Sequence, residues 1–82
     1  MSEYHMSISG KINSLEEKSI DHYFKIISLE DSLVITLHSN LHDNNKILNE
    51  LCDRNKLFIY NEEFISVDKC IIKATKDKHF NE

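Results

Sequence analysis

Glycine, proline and tryptophan are almost absent from this chain of 82 residues, which has one Gly, no Pro and no Trp. Collagen-like proteins, mucin-like proteins and glycine-rich phosphate loops need glycine or proline repeatedly, so the composition excludes all three classes. No apolar run approaches the ~20 residues that a membrane span requires, and no basic start leads into an apolar signal segment. We therefore expect a soluble intracellular protein without membrane contact, cytoplasmic or, in a eukaryote, nuclear.

Arginine and cysteine are also scarce. Arg54 is the only Arg among ten basic residues, and 14 acidic residues give a net charge of −4. The guanidinium fork suits phosphates and base edges best, so its scarcity argues against tight, sequence-specific binding of duplex DNA. A secreted protein of this size usually carries more than the two cysteines found here, Cys52 and Cys70. We therefore expect reduced, buried thiols.

Motifs for catalysis and metal binding are missing or weak. The sequence has no phosphate-binding loop, no G-x-S-x-G motif and no glycine-rich dinucleotide turn. His38 and His42 could form a zinc site with Cys52 and Cys70, but both cysteines fall at apolar positions of their segments, where small buried hydrophobic residues are expected. We predict that the protein is not an enzyme and that it has no metal or other cofactor.

Apolar residues alternate with polar ones in several segments, which predicts β-strands. The predicted strands cover residues 6–12, 22–27, 33–37, 57–60 and 64–75, with a loop over 14–20, a turn over 61–63 and a bulge near Asp68. Helical spacing of apolar residues from Leu41 to Cys52 predicts one helix over 43–54, with Asp43 as its N-cap and Asn55 as a left-handed stop. We expect a single domain over 1–82, with an ordered core at 5–75 and flexible ends at 1–4 and 76–82.

The predicted order, β-β-β-α-β-β, is that of the OB-fold. Residues 8–12 (Ile-Ser-Gly-Lys-Ile) look like the first OB strand, 22–26 (His-Tyr-Phe-Lys-Ile) and 33–37 (Leu-Val-Ile-Thr-Leu) like the second and third, and 56–60 (Lys-Leu-Phe-Ile-Tyr) like the fourth. Over about residues 6–75 the chain therefore resembles a small, single-domain member of the oligonucleotide/oligosaccharide-binding (OB-fold) family. The resemblance implies a mainly β fold, a five-stranded Greek-key barrel with one helix between strands 3 and 4. The alternative is a small α+β sheet with one helix.

The same resemblance implies a nucleic-acid-binding face, because an OB barrel binds single strands across strands two and three with aromatic and basic side chains. The residues at those positions are Tyr23, Lys25, Thr36 and His38, with Phe64 near the loop between strands four and five. Lys69 and Lys73 add a local basic strip, although lysines on a last strand also protect a sheet edge. The implied function is a non-catalytic module that contacts single-stranded nucleic acid as a subunit of a larger complex.

A second hypothesis is a small acidic protein-interaction factor that docks a protein partner through its sheet. Phe58 and Tyr60 point outward from the fourth predicted strand, and two outward aromatic residues on one face are typical of a docking patch. The partner is another protein or a second copy of the chain. A regulator or inhibitor encoded by a mobile element fits this hypothesis, and its acidic first half could imitate nucleic acid.

Overall fold

The computed structural model describes residues 2–39 and 42–77. In this part of the chain the protein has a small α+β fold with one four-stranded sheet and two helices. The elements are β1 (Glu3–Ile8), α1 (Ser14–Lys25), β2 (Ser32–Leu37), α2 (His42–Arg54), β3 (Phe58–Ser66) and β4 (Lys69–Thr75). Leu41, Lys78 and the rest of the predicted flexible end after residue 77 lie outside the described residues.

The four strands lie in the order β1-β2-β4-β3, with β1 parallel to β2 and β4 antiparallel to both of its neighbours. Strand β3 therefore runs parallel to β2, so α1 and α2 are both crossovers between parallel strands, and both advance toward the β3 edge. Such crossovers are right-handed in nearly all proteins, which places both helices on the same face of the sheet. Buried residues of both helices accordingly pack into one core with the sheet.

The barrel is not confirmed, because the sheet that residues 2–39 and 42–77 form has four strands and does not close. The α+β alternative describes the fold better, with two helices in place of one. The difference arises at α1, which occupies both the predicted loop at 14–20 and most of the predicted strand at 22–27. That strand is wrong: Tyr23 and Lys25 are helical residues.

Helix α1 forms because its first turn is capped and its core-facing residues have helical spacing. Asn13 Oδ1 accepts a hydrogen bond from the Glu16 backbone N–H at 2.8 Å, and Glu16 Oε1 accepts one from the Asn13 N–H at 3.3 Å. This capping box satisfies two donors that a helix start leaves without partners. Ile20 and Phe24, four residues apart, are its buried residues, and Ile27 is buried just after its end. Contact of these side chains with the core outweighs the local alternation that suggested a strand.

Helix α2 and strand β2 agree with the predicted helix at 43–54 and the predicted strand at 33–37. The helix begins at His42, so Asp43 lies in its first turn and is not the N-cap. The left-handed residue after the helix is Lys56, with φ of 59°, and not Asn55. Two backbone bonds close this end, from Lys56 N–H to Asp53 C=O at 3.2 Å and from Leu57 N–H to Cys52 C=O at 2.8 Å. They form a Schellman motif.

Strand β1 begins earlier than the predicted 6–12 and pairs regularly with β2 from Glu3 to Ile8. Residues 3 and 4 therefore belong to the sheet, whereas Gly10, with φ of 71°, lies in the following loop. That loop is held by Asn44 of α2, which accepts from the Ile12 N–H at 2.9 Å and donates to the Gly10 C=O at 2.7 Å. The segment predicted to bend as part of a strand is thus fixed against α2.

The last two strands form a hairpin whose turn differs from the prediction. Residues 61–63 lie inside β3, and the change of apolar phase near Asp68 marks the hairpin turn at 67–68, not a bulge within one strand. Ser66 pairs with Lys69 across this turn. The pairing has irregularities between Ile59 and Asn61 and between Phe64 and Ser66. Each shifts the β3 register by one residue.

The core lies between the sheet and the two helices. The apolar positions of the predicted strands and helix place Ile59 and seven other residues in this core. The seven are buried, and Ile59 is half-buried against it. The buried seven are Ile12, Phe24, Ile35, Leu37, Leu48, Leu51 and Ile72.

Candidate interaction surface

The face of the sheet opposite the helices, here called the uncovered face, is lined by alternate residues of every strand. On β2 the odd-numbered residues Leu33, Ile35 and Leu37 belong to the core, so the even-numbered ones lie on the uncovered face. In strand order β1, β2, β4, β3 its rows are Glu3, Ser32, Thr75 and Phe58; then His5, Val34, Lys73 and Asn61; then Ser7, Thr36, Ile71 and Glu63.

Charges of both signs are mixed on the uncovered face. Lys73 lies near its centre, half-buried between Val34 and Asn61, and Lys69 is the first residue of the same strand, next to the hairpin turn. Glu3 and Glu63 supply carboxylates on the two outer strands. Because β4 is an inner strand, its lysines do not protect an edge, which corrects that interpretation. Glu3 and Glu63 equal the two lysines in number, so this face is not a basic groove.

The predicted nucleic-acid-binding residues are not brought together. Thr36, Lys69 and Lys73 share the uncovered face, whereas Tyr23 and Lys25 lie on α1, in the other layer of the fold. The Tyr23 ring packs edge-on against the Tyr4 ring, with centroids 5.9 Å apart. Lys25 Nζ binds Asp21 Oδ2 at 2.8 Å on the same helix. Tyr23 therefore packs α1 against β1, and Lys25 forms an ion pair within α1.

His38 and Phe64 lie at the end of the sheet where β2 ends and β4 begins. His38 is exposed just after β2, where its backbone N–H donates to the Ile8 C=O at 2.9 Å. Phe64 pairs with Cys70 and so lies on the side of the sheet that carries the helices, with 68% of its surface exposed. The seven predicted residues thus divide among both layers and one end of the molecule.

Phe58 lies at the start of β3 on the uncovered face, next to Thr75 and 46% exposed. Tyr60 falls at the first register irregularity and lines a pocket of about 480 Å³ in the same region. We call it the Tyr60 pocket, and its lining residues are Leu29, Glu30, Asp31, Ser32, Tyr60, Thr75 and Asp77. The predicted pair of aromatic residues is therefore at one end of the sheet, beside a concave site that sequence patterns did not indicate.

The loop before β2 gives the Tyr60 pocket an ordered carboxylate. Asp31 Oδ2 accepts from the Ser28 N–H at 3.0 Å and from Ser28 Oγ at 2.9 Å, and Oδ1 accepts from the Ser2 N–H at 3.1 Å. The hydrogen bonds from Ser28 are the main cause that lowers the pKa of Asp31 below its usual value of 3.8. The carboxylate is therefore ionised at neutral pH. Asp77 and Glu30 add two more acidic side chains to the lining.

A second apolar surface lies at the tip of the β3–β4 hairpin. Phe64, Ile65 and Val67 are all exposed there, Val67 by 81%. Prediction from sequence named only Phe64 among them, although three large apolar residues within four positions, next to a turn, are a visible signal of an exposed patch.

The two thiols occupy different environments. Cys52 is buried in the core, and burial raises its pKa to about 12. Cys70 is half-buried, and desolvation also raises its pKa. Within residues 2–39 and 42–77, no three His, Cys, Asp or Glu side chains come close enough together to hold a metal ion.

Comparisons with protein families, with curated proteins and with solved structures found no match to this chain. Among the described residues, no helix is long and apolar enough to span a membrane.

Proposed function

We propose that this chain is a non-catalytic protein-interaction module that binds a basic segment of a partner protein at the Tyr60 pocket and the adjoining Phe58 side chain. The observation that carries the proposal is the combination of apolar and acidic groups in one concave site. Leu29 and Tyr60 supply apolar surface, and the Asp31 carboxylate is already held in place by Ser28. An exposed aromatic side chain at the rim is typical of an interface anchor.

A lysine or arginine side chain from the partner fits this chemistry best. Its aliphatic stem can cover Leu29 and Tyr60, while its charged head meets the carboxylates of Glu30, Asp31 or Asp77. The net charge of −4 adds long-range attraction for such a partner and speeds encounter at low ionic strength.

The proposal is tested by two short peptides of equal length, one alternating Lys and Leu and the other alternating Glu and Leu, added to the ¹⁵N-labelled protein. We expect the basic peptide alone to shift amide resonances, and the shifts to cluster at Leu29, Tyr60 and Thr75. Phe58→Ala should weaken this binding about tenfold, which corresponds to a loss of about 1.4 kcal/mol of binding free energy. Phe64→Ala is the matched control, because it removes an exposed phenyl ring from the other side of the sheet.

Single-stranded nucleic acid is the second candidate, favoured by Lys69, Lys73 and Thr36 on the same face as Phe58. If it binds there, affinity for a fluorescent oligonucleotide should fall steeply as salt rises, and Lys73→Ala should flatten the salt slope by about one unit. Tyr23→Ala should then have no effect on affinity, since Tyr23 lies in the helical layer. A lack of binding at low salt would eliminate this candidate and leave the protein-interaction module.

A further inference from the structure

We propose that the outer edge of β1 pairs with β1 of a second copy of the chain, giving an antiparallel, two-fold symmetric dimer in which the two sheets become one. This surface is distinct from the Tyr60 pocket, and the inference does not depend on the proposed function. The groups involved are the backbone of Glu3, His5 and Ser7 and the apolar groove between β1 and α1.

The outward backbone groups of β1 follow from its bonds to β2. The Ser32 N–H donates to the Ser2 C=O at 3.0 Å, and the His38 N–H donates to the Ile8 C=O at 2.9 Å. The backbone N–H and C=O groups of the even-numbered residues of β1 therefore point toward β2. Because backbone groups alternate in direction along a strand, the N–H and C=O of Glu3, His5 and Ser7 point away from the sheet. They form a row of donors and acceptors ready to bind another strand.

The two edges of the sheet differ in how they resist such pairing. Strand β3, at the other edge, has two register irregularities and the adjacent carboxylates of Glu62 and Glu63. Bulges and charges of this kind are the usual protection of an edge strand. Strand β1 has a regular register over all six residues and contains no Lys, Arg or Pro. Its one carboxylate, on Glu3, is bonded to the His5 ring at 2.7 Å.

A second copy fits this edge because β1 is complementary to itself. In the antiparallel register centred on His5, all three outward residues form hydrogen-bonded pairs, with Glu3 opposite Ser7 of the other copy and His5 opposite its own equivalent. Tyr4 then lies opposite Met6 of the other copy, on the side of the sheet that carries the helices. No carboxylate is opposite a carboxylate. A two-fold interface requires this kind of self-matching patch.

An apolar groove beside β1 provides the area that backbone pairing alone lacks. The groove has a volume of about 400 Å³ and lies between β1 and α1. Its lining includes Met6, Ile8, Ile20 and Tyr23, and Leu15 at its rim is 75% exposed. A paired second copy brings its own α1 and the same groove across the two-fold axis, so both apolar surfaces leave water together.

The dimer is tested on the full chain by light scattering during size-exclusion chromatography over a range of protein concentrations. We expect a mass approaching twice 9.7 kDa at high concentration. In hydrogen exchange, the His5 and Ser7 amides should become protected as the dimer forms. The Met6 amide should be protected at every concentration, because it points toward β2. A mass of one chain at all concentrations, up to the solubility limit, would overturn the proposal.

Two variants separate β1 pairing from association elsewhere. Ser7→Pro removes an outward N–H and no bond to β2, so the fold should survive while the dimer is lost. His5→Lys places two ammonium groups opposite each other at the axis and should raise the dimer dissociation constant at least about tenfold. His42→Lys makes the same change on α2 and should leave the dimer intact. Circular dichroism confirms folding of each variant, and a dimer that persists in both β1 variants would refute β1 pairing.

Discussion

Asn44 is the buried polar side chain on which the loop between β1 and α1 depends. It is 1% exposed, and its amide bonds both the Ile12 N–H and the Gly10 C=O. Without it, these two backbone groups lose their partners close to the core. A buried backbone group without a hydrogen bond is costly because water cannot replace the missing partner.

Asn44→Ala should therefore lower the free energy of unfolding by about 1–3 kcal/mol. Asn44→Asp should be at least as harmful at neutral pH, because a carboxylate cannot donate to the Gly10 C=O and would repel it. Urea unfolding followed by circular dichroism measures both changes. Asn49→Ala is the control, since Asn49 is exposed and its amide bonds Asn45 C=O on its own helix. Equal losses at Asn44 and Asn49 would contradict this role.

Lys56 adopts a backbone conformation that favours glycine. Its φ of 59° is the only positive value among the described non-glycine residues. Lys56→Gly should raise the free energy of unfolding by about 0.5–1 kcal/mol. Glycine removes the strain of the left-handed backbone, and this gain is larger than the entropic cost of the greater freedom that glycine gives the unfolded chain. Thermal unfolding should show a higher midpoint. Asn55→Gly should lower it, since the Asn55 side chain bonds Asp21 Oδ1 and Leu51 C=O.

Among the elements, α1 is tied to the end of α2 through one carboxylate. Asp21 Oδ2 binds Lys25 Nζ at 2.8 Å, and Oδ1 accepts from Asn55 Nδ2 at 2.8 Å. Arg54 lies 3.9 Å away. The hydrogen bond from Lys25, followed by that from Asn55, lowers the pKa of Asp21 below its usual value of 3.8. The folded protein therefore holds the ionised form more strongly than the unfolded chain does.

This difference predicts the sign of a pH effect. Asp21 contributes stability above pH 3.8, and the contribution is lost as the pH falls through the lower pKa of the folded state. Asp21→Asn should reduce stability at neutral pH, and its difference from the natural protein should shrink below pH 3.8. Urea midpoints across an acid series provide the measurement. A difference that stays constant down to acid unfolding would show that ionisation of Asp21 does not matter.

The same elements show what sequence patterns can predict and where they fail. β2 and α2 are predicted because each has one clear apolar period over its whole length. Phe24 fits two periods at once, since its spacing to Ile26 suggests a strand and its spacing from Ile20 suggests a helix. Contact with the core decides for the helix, and Ile26 is left exposed. The capping box of Asn13 and Glu16 was the local signal that could have decided it from sequence.

The candidate site was predicted only in part, for a similar reason. The alternation around Phe58 identifies an outward aromatic residue, and the structure places it at a sheet end. The Tyr60 pocket also needs Leu29 and Asp31, which are about 30 residues away in sequence and meet Tyr60 only through the sheet order. No pattern in one sequence specifies that β4 separates β2 from β3.

For the whole molecule, the two thiols offer separate reports on local and global opening. Cys52 is buried with its pKa raised to about 12, whereas Cys70 is half-buried. Since the thiolate is the reactive form, iodoacetamide should modify Cys70 of the folded protein well before Cys52. Cys52 should react at the rate at which the core opens.

Mass spectrometry of timed samples identifies which thiol is modified. Cys70→Ser should leave a single slow reaction that accelerates with urea in parallel with unfolding. If Cys52 instead reacted in the native protein as fast as in concentrated urea, the core around α2 would have to be open.

The sheet order also constrains how the chain can fold as the ribosome makes it. β1, α1 and β2 are contiguous, so this unit can form as soon as residue 37 has emerged. β3 is made before β4 but has no sheet partner until β4 arrives, because β4 lies between β2 and β3. The last described strand to be synthesised is thus an inner strand of the sheet. Until it emerges, the nascent chain carries an unpaired β2 edge and an exposed half-core, the kind of surface that chaperones bind.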